Sequence, residues 1–168
     1  CTGQQNLFTE DMDGHAFKFQ LTKSNRAILF NVLQPNHHFY FRIFFLAFSR
    51  KKNDQIQKHN RVKSMQLSII IINYNTFQLT CNCIESVIKF TQDLDFEIIL
   101  VDNASSECDP NMFLEKFPSI KLIACKENTG FTGGNNLGVK IAKGEYILLL
   151  NSDTWLEENS IKKSYEKA

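Results

Sequence analysis

From Met65 onward, apolar runs of about six residues alternate with stretches whose apolar side chains recur every three to four positions. Residues 66–72 (Q-L-S-I-I-I-I) make a β-branched run of strand length that breaks into Asn73-Tyr74-Asn75, polar residues suited to a turn. Thr76 then stands as the N-cap of a helix over 77–90, with Leu79, Cys83, Val87 and Phe90 on its apolar stripe. A second buried run, 96–101, ends in Asp102-Asn103-Ala104-Ser105-Ser106. Pro110 opens a short helix that runs through Phe117 and stops at Pro118. A third strand, 120–125, gives way to Lys126-Glu127-Asn128, followed by a glycine-rich turn over 129–134 and a helix over 135–142 that Gly144 terminates. The fourth strand, 146–150, runs into Asn151-Ser152-Asp153-Thr154, with a last helix beginning near Leu156.

This βαβαβαβ order predicts an α/β domain: a mostly parallel sheet with right-handed crossovers and helices on both faces. Parallel strands place all four polar ends along one edge, where open α/β sheets bind ligands. A carboxylate among short polar residues there, Asp153, suits a divalent cation that in turn holds a diphosphate. The competing account is that Asp153 caps the helix near Leu156, which is ordinary capping chemistry. The convergence of four polar strand ends favours the binding role.

Residues 1–64 are different material. They hold ten Lys/Arg against four Asp/Glu and nine of the fifteen Phe, whereas 65–168 hold nine Lys/Arg against fourteen Asp/Glu. The composition therefore places a boundary at Ser64/Met65, with an irregular extension before it. Within that extension a loosely alternating piece, 16–21, follows turn-like residues 11–14. The aromatic block 39–48, followed by Arg50-Lys51-Lys52, Lys58, Arg61 and Lys63, reads as a segment for peripheral contact with a membrane surface. Plainer readings are a poorly ordered extension, a remnant of another domain, or sequence upstream of a start at Met65. His37-His38 reads as surface. No stretch approaches the length of a membrane span, no signal peptide is visible, and the five cysteines lack metal-ligand spacing. A reduced cytoplasmic chain, at most at the inner face of the membrane, is the expectation, and no nucleic-acid partner is expected.

Two nucleotide sites are excluded directly. A dinucleotide site wants G-x-G-x-x-G after the first strand, but no glycine follows Ile72 until Gly130, and no Walker A string exists. What remains is an early aromatic, Tyr74, to pack on a base; Asp102 or Asn103 to hydrogen-bond base or ribose; and Asp153, with a metal, for phosphates. Each has a plainer account: Tyr74 as a half-buried aromatic, Asp102 as an Asx turn, Asn128 and the glycines as a tight turn. Cys81, Cys83 and Cys125 read as core residues, and Trp155 as packed.

The strings Ser68-Ile-Ile-Ile-Ile-Asn-Tyr-Asn75, Val101-Asp-Asn-Ala-Ser105, Asn128-Thr-Gly-Phe-Thr-Gly-Gly-Asn-Asn136 with Gly138, and Leu148-Leu-Leu-Asn-Ser-Asp-Thr154 resemble the N-terminal half of family 2 inverting glycosyltransferases, nearest to the rhamnosyltransferase-like branch of surface-polysaccharide synthesis. The resemblance covers about 67–165 and none of 1–64. It implies a GT-A fold, a UDP- or dTDP-sugar donor, Mg²⁺ or Mn²⁺, and a glycan or lipid-linked acceptor. By position it implies nucleotide-sugar binding by Asn73, Tyr74, Asn75, Asp102, Asn103, Asn128, Gly130, Gly134, Asn135, Asn151 and Asp153. Asn151-Ser152-Asp153 stands at the family's D-x-D, with Asp153 as the metal ligand. The family's general base lies beyond that motif. Glu157, Glu158 and Glu166 are the only later carboxylates here, and they read as a solvated helix face. The expectation is thus a donor-binding half without its base. The alternatives are a non-catalytic nucleotide-sugar-binding module and a nucleotidyltransferase.

Overall fold

The computed structural model describes residues 65–166 in full and the strand backbone at 8–10, 17–19 and 44–47. The early strands are β1 (Phe8–Glu10), which pairs antiparallel with β2 (Phe17–Phe19), and β3 (Phe44–Ala47). Then come β4 (Leu67–Asn73), α1 (Phe77–Phe90), β5 (Phe96–Asp102), α2 (Met112–Lys116), β6 (Lys121–Ala124), α3 (Gly130–Ile141), β7 (Tyr146–Asn151) and α4 (Ser160–Tyr165). The main sheet runs β3-β7-β4-β5-β6. β4 lies parallel to both β5 and β7, and β5 parallel to β6, as the strand-helix alternation predicts. The fifth strand is new: β3 pairs antiparallel to β7, Phe44 opposite Leu149 and Ala47 opposite Tyr146. It comes from within the aromatic block of the segment read as an extension. His37-His38 and the basic run that follows the block lie outside the described residues.

Alternate side chains of each strand face opposite sides of the sheet. Leu67, Ile69, Ile71, Leu148 and Leu150 pack under α1, α2 and α4, while Ile70, Ile99, Val101, Ile147 and Leu149 pack under α3. Each fully buried aliphatic side chain contributes about 1.5–3 kcal/mol, so burial on two faces is what selects the β-branched runs. Because α1 and α2 carry the chain from β4 to β6 on one face and α3 returns it on the other, strand order reverses beside β4. The crevice beyond the carboxyl ends of β4 and β7 is the ligand-binding position of such sheets.

Four local expectations are corrected. The turn expected over 129–134 is largely the start of α3. Gly134 and Gly138 lie on its sheet face, where an added Cβ would stand 3.0 Å from Ile72 Cδ1 and 2.6 Å from Ile70 Cγ2 respectively. Close approach of helix to sheet outweighs the roughly 1 kcal/mol that each glycine costs in helix propensity. Thr76 occupies the N-cap position of α1 without a side-chain cap bond; the first-turn amide of Phe77 is instead met by the Glu107 carboxylate at 3.0 Å. Leu79 is half exposed rather than part of the core stripe, which runs through Thr80, Cys83, Ile84 and Val87. Finally, α4 starts only at Ser160: Leu156 is buried and its amide donates to Ser86 Oγ at 3.1 Å, which pins an irregular segment. Asp153 therefore caps no helix.

Candidate functional site

A cleft of about 420 Å³ opens at the reversal point. Its floor and walls come from the carboxyl ends of all four parallel strands: Ile72 in β4 with Tyr74 and Thr76 after it, Asn103 after β5, Asn128 and Gly130 after β6, and Asn151 at the end of β7 with Ser152 and Asp153 after it. Leu79 and Phe131 complete it, and the sequence reading missed both. Leu79 has the spacing of a core-stripe residue, and the only signal for Phe131 in the sequence is its place beside the glycines.

The residues expected to bind divide into two groups. Asn73 and Asp102 are buried beneath the cleft and saturated. Asn73 Nδ2 donates to Asp102 Oδ2 at 2.7 Å and Ser105 Oγ at 2.9 Å, and its Oδ1 accepts from Thr76 Oγ1 at 3.0 Å and Thr80 Oγ1 at 2.8 Å. Asp102 Oδ1 accepts the Ser105 amide at 3.0 Å, one residue further on than the Asx turn that the sequence allowed. Asn75, at φ 53°, accepts the Ser106 amide at 2.8 Å and so ties the Tyr74 turn to the loop after β5. Asn135 is buried in α3 and donates to the Phe131 carbonyl at 2.9 Å, while Gly134 is a packing contact. Asn103 lines the cleft, but its amide is spent on the Asn128–Gly130 turn.

The second group faces outward. Tyr74 is 49% exposed, the half-buried strand-end aromatic of the plainer reading, and its exposed half lines the cleft. Asn151 and Asp153 are exposed, and the Asp153 carboxylate has no hydrogen bond or ion pair among the described residues. Trp155 is half exposed, not packed as expected. Under this rim lies the Cys83 thiol, 3.5 Å from the Asn151 carbonyl. Burial, then the Asp153 charge, push its pKa up to about 12 despite a lowering hydrogen bond from the Thr154 backbone. It is an inert core thiol, as Cys81 is.

Among the described residues no three His, Cys, Asp or Glu side chains group as a metal site. The donor set after β7 is one carboxylate with an amide and a hydroxyl beside it. That set suits Mg²⁺ or Mn²⁺ shared with a bound diphosphate, because such ions take oxygen ligands and are commonly held by one or two carboxylates plus phosphates. It does not suit a metal held by protein alone.

Fold and cleft define an open α/β domain with a cleft where its strand order reverses. A Glycosyl transferase family 2 model matches residues 68–168, and the chain belongs to that family. Glycosyltransferase GlyG of Streptococcus pneumoniae is 31% identical over 106 residues, 60% of this chain and 34% of GlyG. The poly(ribitol-phosphate) beta-glucosyltransferase of Bacillus spizizenii is 34% identical over 106 residues, 60% of this chain and 17% of the relative. The structure of S. aureus TarS in complex with UDP matches with a TM-score of 0.54 at 26% identity, covering 61% of this chain and 31% of that one. The sheet is thus the GT-A arrangement of these neighbours, and the chain spans about a third of GlyG and less of the glucosyltransferase. Family membership leaves the nucleotidyltransferase alternative without support.

Proposed function

We propose that this chain carries the donor-binding half of an inverting glycosyltransferase that moves a sugar from a UDP- or dTDP-linked donor to a glycan or lipid-linked acceptor in surface-polysaccharide synthesis. The observation that carries this reading is the Asp153 carboxylate, unpaired among the described residues, in a cleft to which all four parallel strands contribute. The UDP bound by TarS supports a uridine nucleotide, and the motif strings alone support the rhamnosyltransferase-like branch. Tyr74 offers its ring to the base, and Asn151 and Asp153 hold the diphosphate end. A divalent cation there would neutralise the departing diphosphate. Direct displacement at the anomeric carbon also needs a base for the acceptor hydroxyl. Asp153 is the only carboxylate lining the cleft among the described residues; Glu158 is paired with Lys163 Nζ at 2.6 Å, and Glu157 and Glu166 line no part of it. The base therefore belongs to other residues, and a nucleotide-sugar-binding module without transfer is the second reading that this favours.

Calorimetric titration with UDP and dTDP, with and without Mn²⁺, tests the reading. Metal-dependent binding that Asp153→Ala removes is the expected result; binding indifferent to that substitution would refute the assignment. We also propose that 65–168 is the binding unit and that 1–64 is an extension lending it one edge strand. Deleting 1–64 is expected to leave UDP affinity unchanged while baring the edge of β7; a loss of affinity would make the extension part of the site. Residence in the cytoplasm, with peripheral contact to the inner membrane face, completes the proposal. Among the described residues no helix is long and apolar enough to cross a membrane.

A further inference from the structure

The main sheet has two edges, and the chain covers one of them. β3 closes the outer side of β7, whereas β6 ends the sheet with no strand beyond it among the described residues. One contact fixes the phase of the β6 backbone: the Cys125 amide donates to the Asp102 carbonyl at 2.9 Å, on the β5 side. Backbone groups alternate sides along a strand, so those of Lys121 and Ile123 also face β5 while those of Leu122 and Ala124 face outward. They have no partner there among the described residues, and Ala124 is exposed. Beside this bare edge lies a second cavity, about 530 Å³, lined by the successive residues 123–127 with Thr129 and with Leu137 of α3. Successive strand residues point to opposite faces, so a cavity that touches all of 123–125 lies off the strand's edge rather than over one face.

This edge is its own complement. A second β6 laid antiparallel, with Leu122 opposite Ala124 and Ala124 opposite Leu122, exchanges every outward N–H and C=O about a twofold axis through Ile123. Centring the axis on Leu122 instead would call on Ile120, whose amide is taken by the Phe117 carbonyl at 3.2 Å. Centring it on Ala124 would call on Lys126, which lies past the end of the strand. In the Ile123 register the two Ile123 side chains meet on the α3 face, continuous with the apolar group of Ile123, Cys125 and Leu137. Lysines commonly blunt such edges, but the Lys121 ammonium is drawn inward onto Glu97. Each Lys121 lies opposite Cys125 of the other copy and each Lys126 toward Ile120, so no lysine faces a lysine.

We infer that β6 is the interface of a twofold dimer, in which a second copy of this chain adds its own β6 antiparallel and closes the apolar cavity beside the edge. Two five-stranded sheets then join into one. The parallel strands of the two copies run in opposite directions, so their clefts open at opposite edges of the joined sheet and stay accessible. The inference stands independently of the nucleotide site proposed above.

The test is sedimentation of the full chain across about 1–200 µM, the range in which a small interface assembles, for the wild type and Ala124→Pro, with a melting curve of each. Wild type is expected to show a reversible monomer–dimer equilibrium. Proline at 124 removes only an outward N–H and is tolerated on an edge strand, so the fold should persist while dimer affinity falls about tenfold or more. A cross-link reads the register directly. Ile123 would face its own copy across a non-hydrogen-bonded pair with Cα atoms about 4.5 Å apart, within disulfide reach. With Cys1, Cys108 and Cys125 replaced by serine, Ile123→Cys should therefore form a disulfide-linked dimer under copper-phenanthroline oxidation, and Lys126→Cys should not. Should Ala124→Pro fail to fold, the cross-link decides alone. A wild type that stays monomeric, a dimer that Ala124→Pro leaves intact, or cross-linking through Lys126→Cys rather than Ile123→Cys would each overturn the inference.

Discussion

The two ends of the parallel sheet each carry a carboxylate, and the two meet opposite fates. At the foot, Glu97 near the start of β5 is 8% exposed. It accepts from Ser68 Oγ at 2.6 Å and from the Lys143 amide at 2.6 Å, and its other oxygen pairs with the Lys121 ammonium. Ser68 Oγ in turn accepts the Gly144 amide at 2.8 Å. Burial pushes the Glu97 carboxyl up, but the hydrogen bonds from Lys121, Ser68 and Lys143 outweigh it and leave it below the usual carboxylate range. At the other end Asp153 is exposed and unpaired among the described residues. A carboxylate saturated by its own protein ties β4, β5, β6 and the turn before β7 together. One left unsaturated on a cleft rim has its charge available to a ligand.

Substitution at each end breaks the comparison in a different observable. Asp153→Ala is expected to weaken metal-dependent nucleotide binding about a hundredfold or more and to leave the melting curve unchanged. Glu97→Ala should do the reverse, costing about 2–3 kcal/mol in denaturant unfolding with nucleotide affinity intact; this sits at the low end for a broken buried pair because Lys121 is partly exposed. The Glu97 contribution also carries a pH signature. Its folded pKa is depressed, so the stabilisation is present above the unfolded carboxylate value, about 4.3, and is lost as pH falls through the folded one. An acid titration of stability should therefore flatten in Glu97→Gln.

Smaller effects sharpen the same contrast between packing and binding. Gly138→Ala forces a Cβ toward Ile70 Cγ2 and should cost about 1–2 kcal/mol, with Gly134→Ala below it because its contact, 3.0 Å, is looser. The smallest effect belongs to Cys83. Its raised pKa, about 12, stabilises the fold below the unfolded thiol value, and that contribution is lost as pH climbs from there toward 12. In native protein at pH 8 a thiol reagent should modify Cys108 and Cys125, which are partly exposed, well before Cys81 or Cys83.

Much of this was legible in the residue pattern, and the misses have physical causes. Helix α1 matched its expected span because its apolar spacing and the polar turn before it agree. The start of α3 was misjudged because Gly130, Gly133 and Gly134 argue for a turn by propensity, whereas the contacts that favour helix there, with Ile70 and Ile72, are made across the sheet. The site showed the same division. Asn73, Asp102, Asn103 and Asn128 look alike as polar residues after a strand, and only their partners separate the saturated pair beneath the cleft from the two that line it.

The sequence by itself determined the four parallel strands, their two buried faces and the polar edge where they end, because periodicity and β-branched runs report burial through local geometry. Tertiary structure alone decided that β3 closes the edge of β7, and that Glu97 is paired and Asp153 is not. Each of those depends on groups that are distant in the chain and meet only after the sheet has formed, and a hydrogen-bond partner leaves no mark in the local pattern of its neighbours.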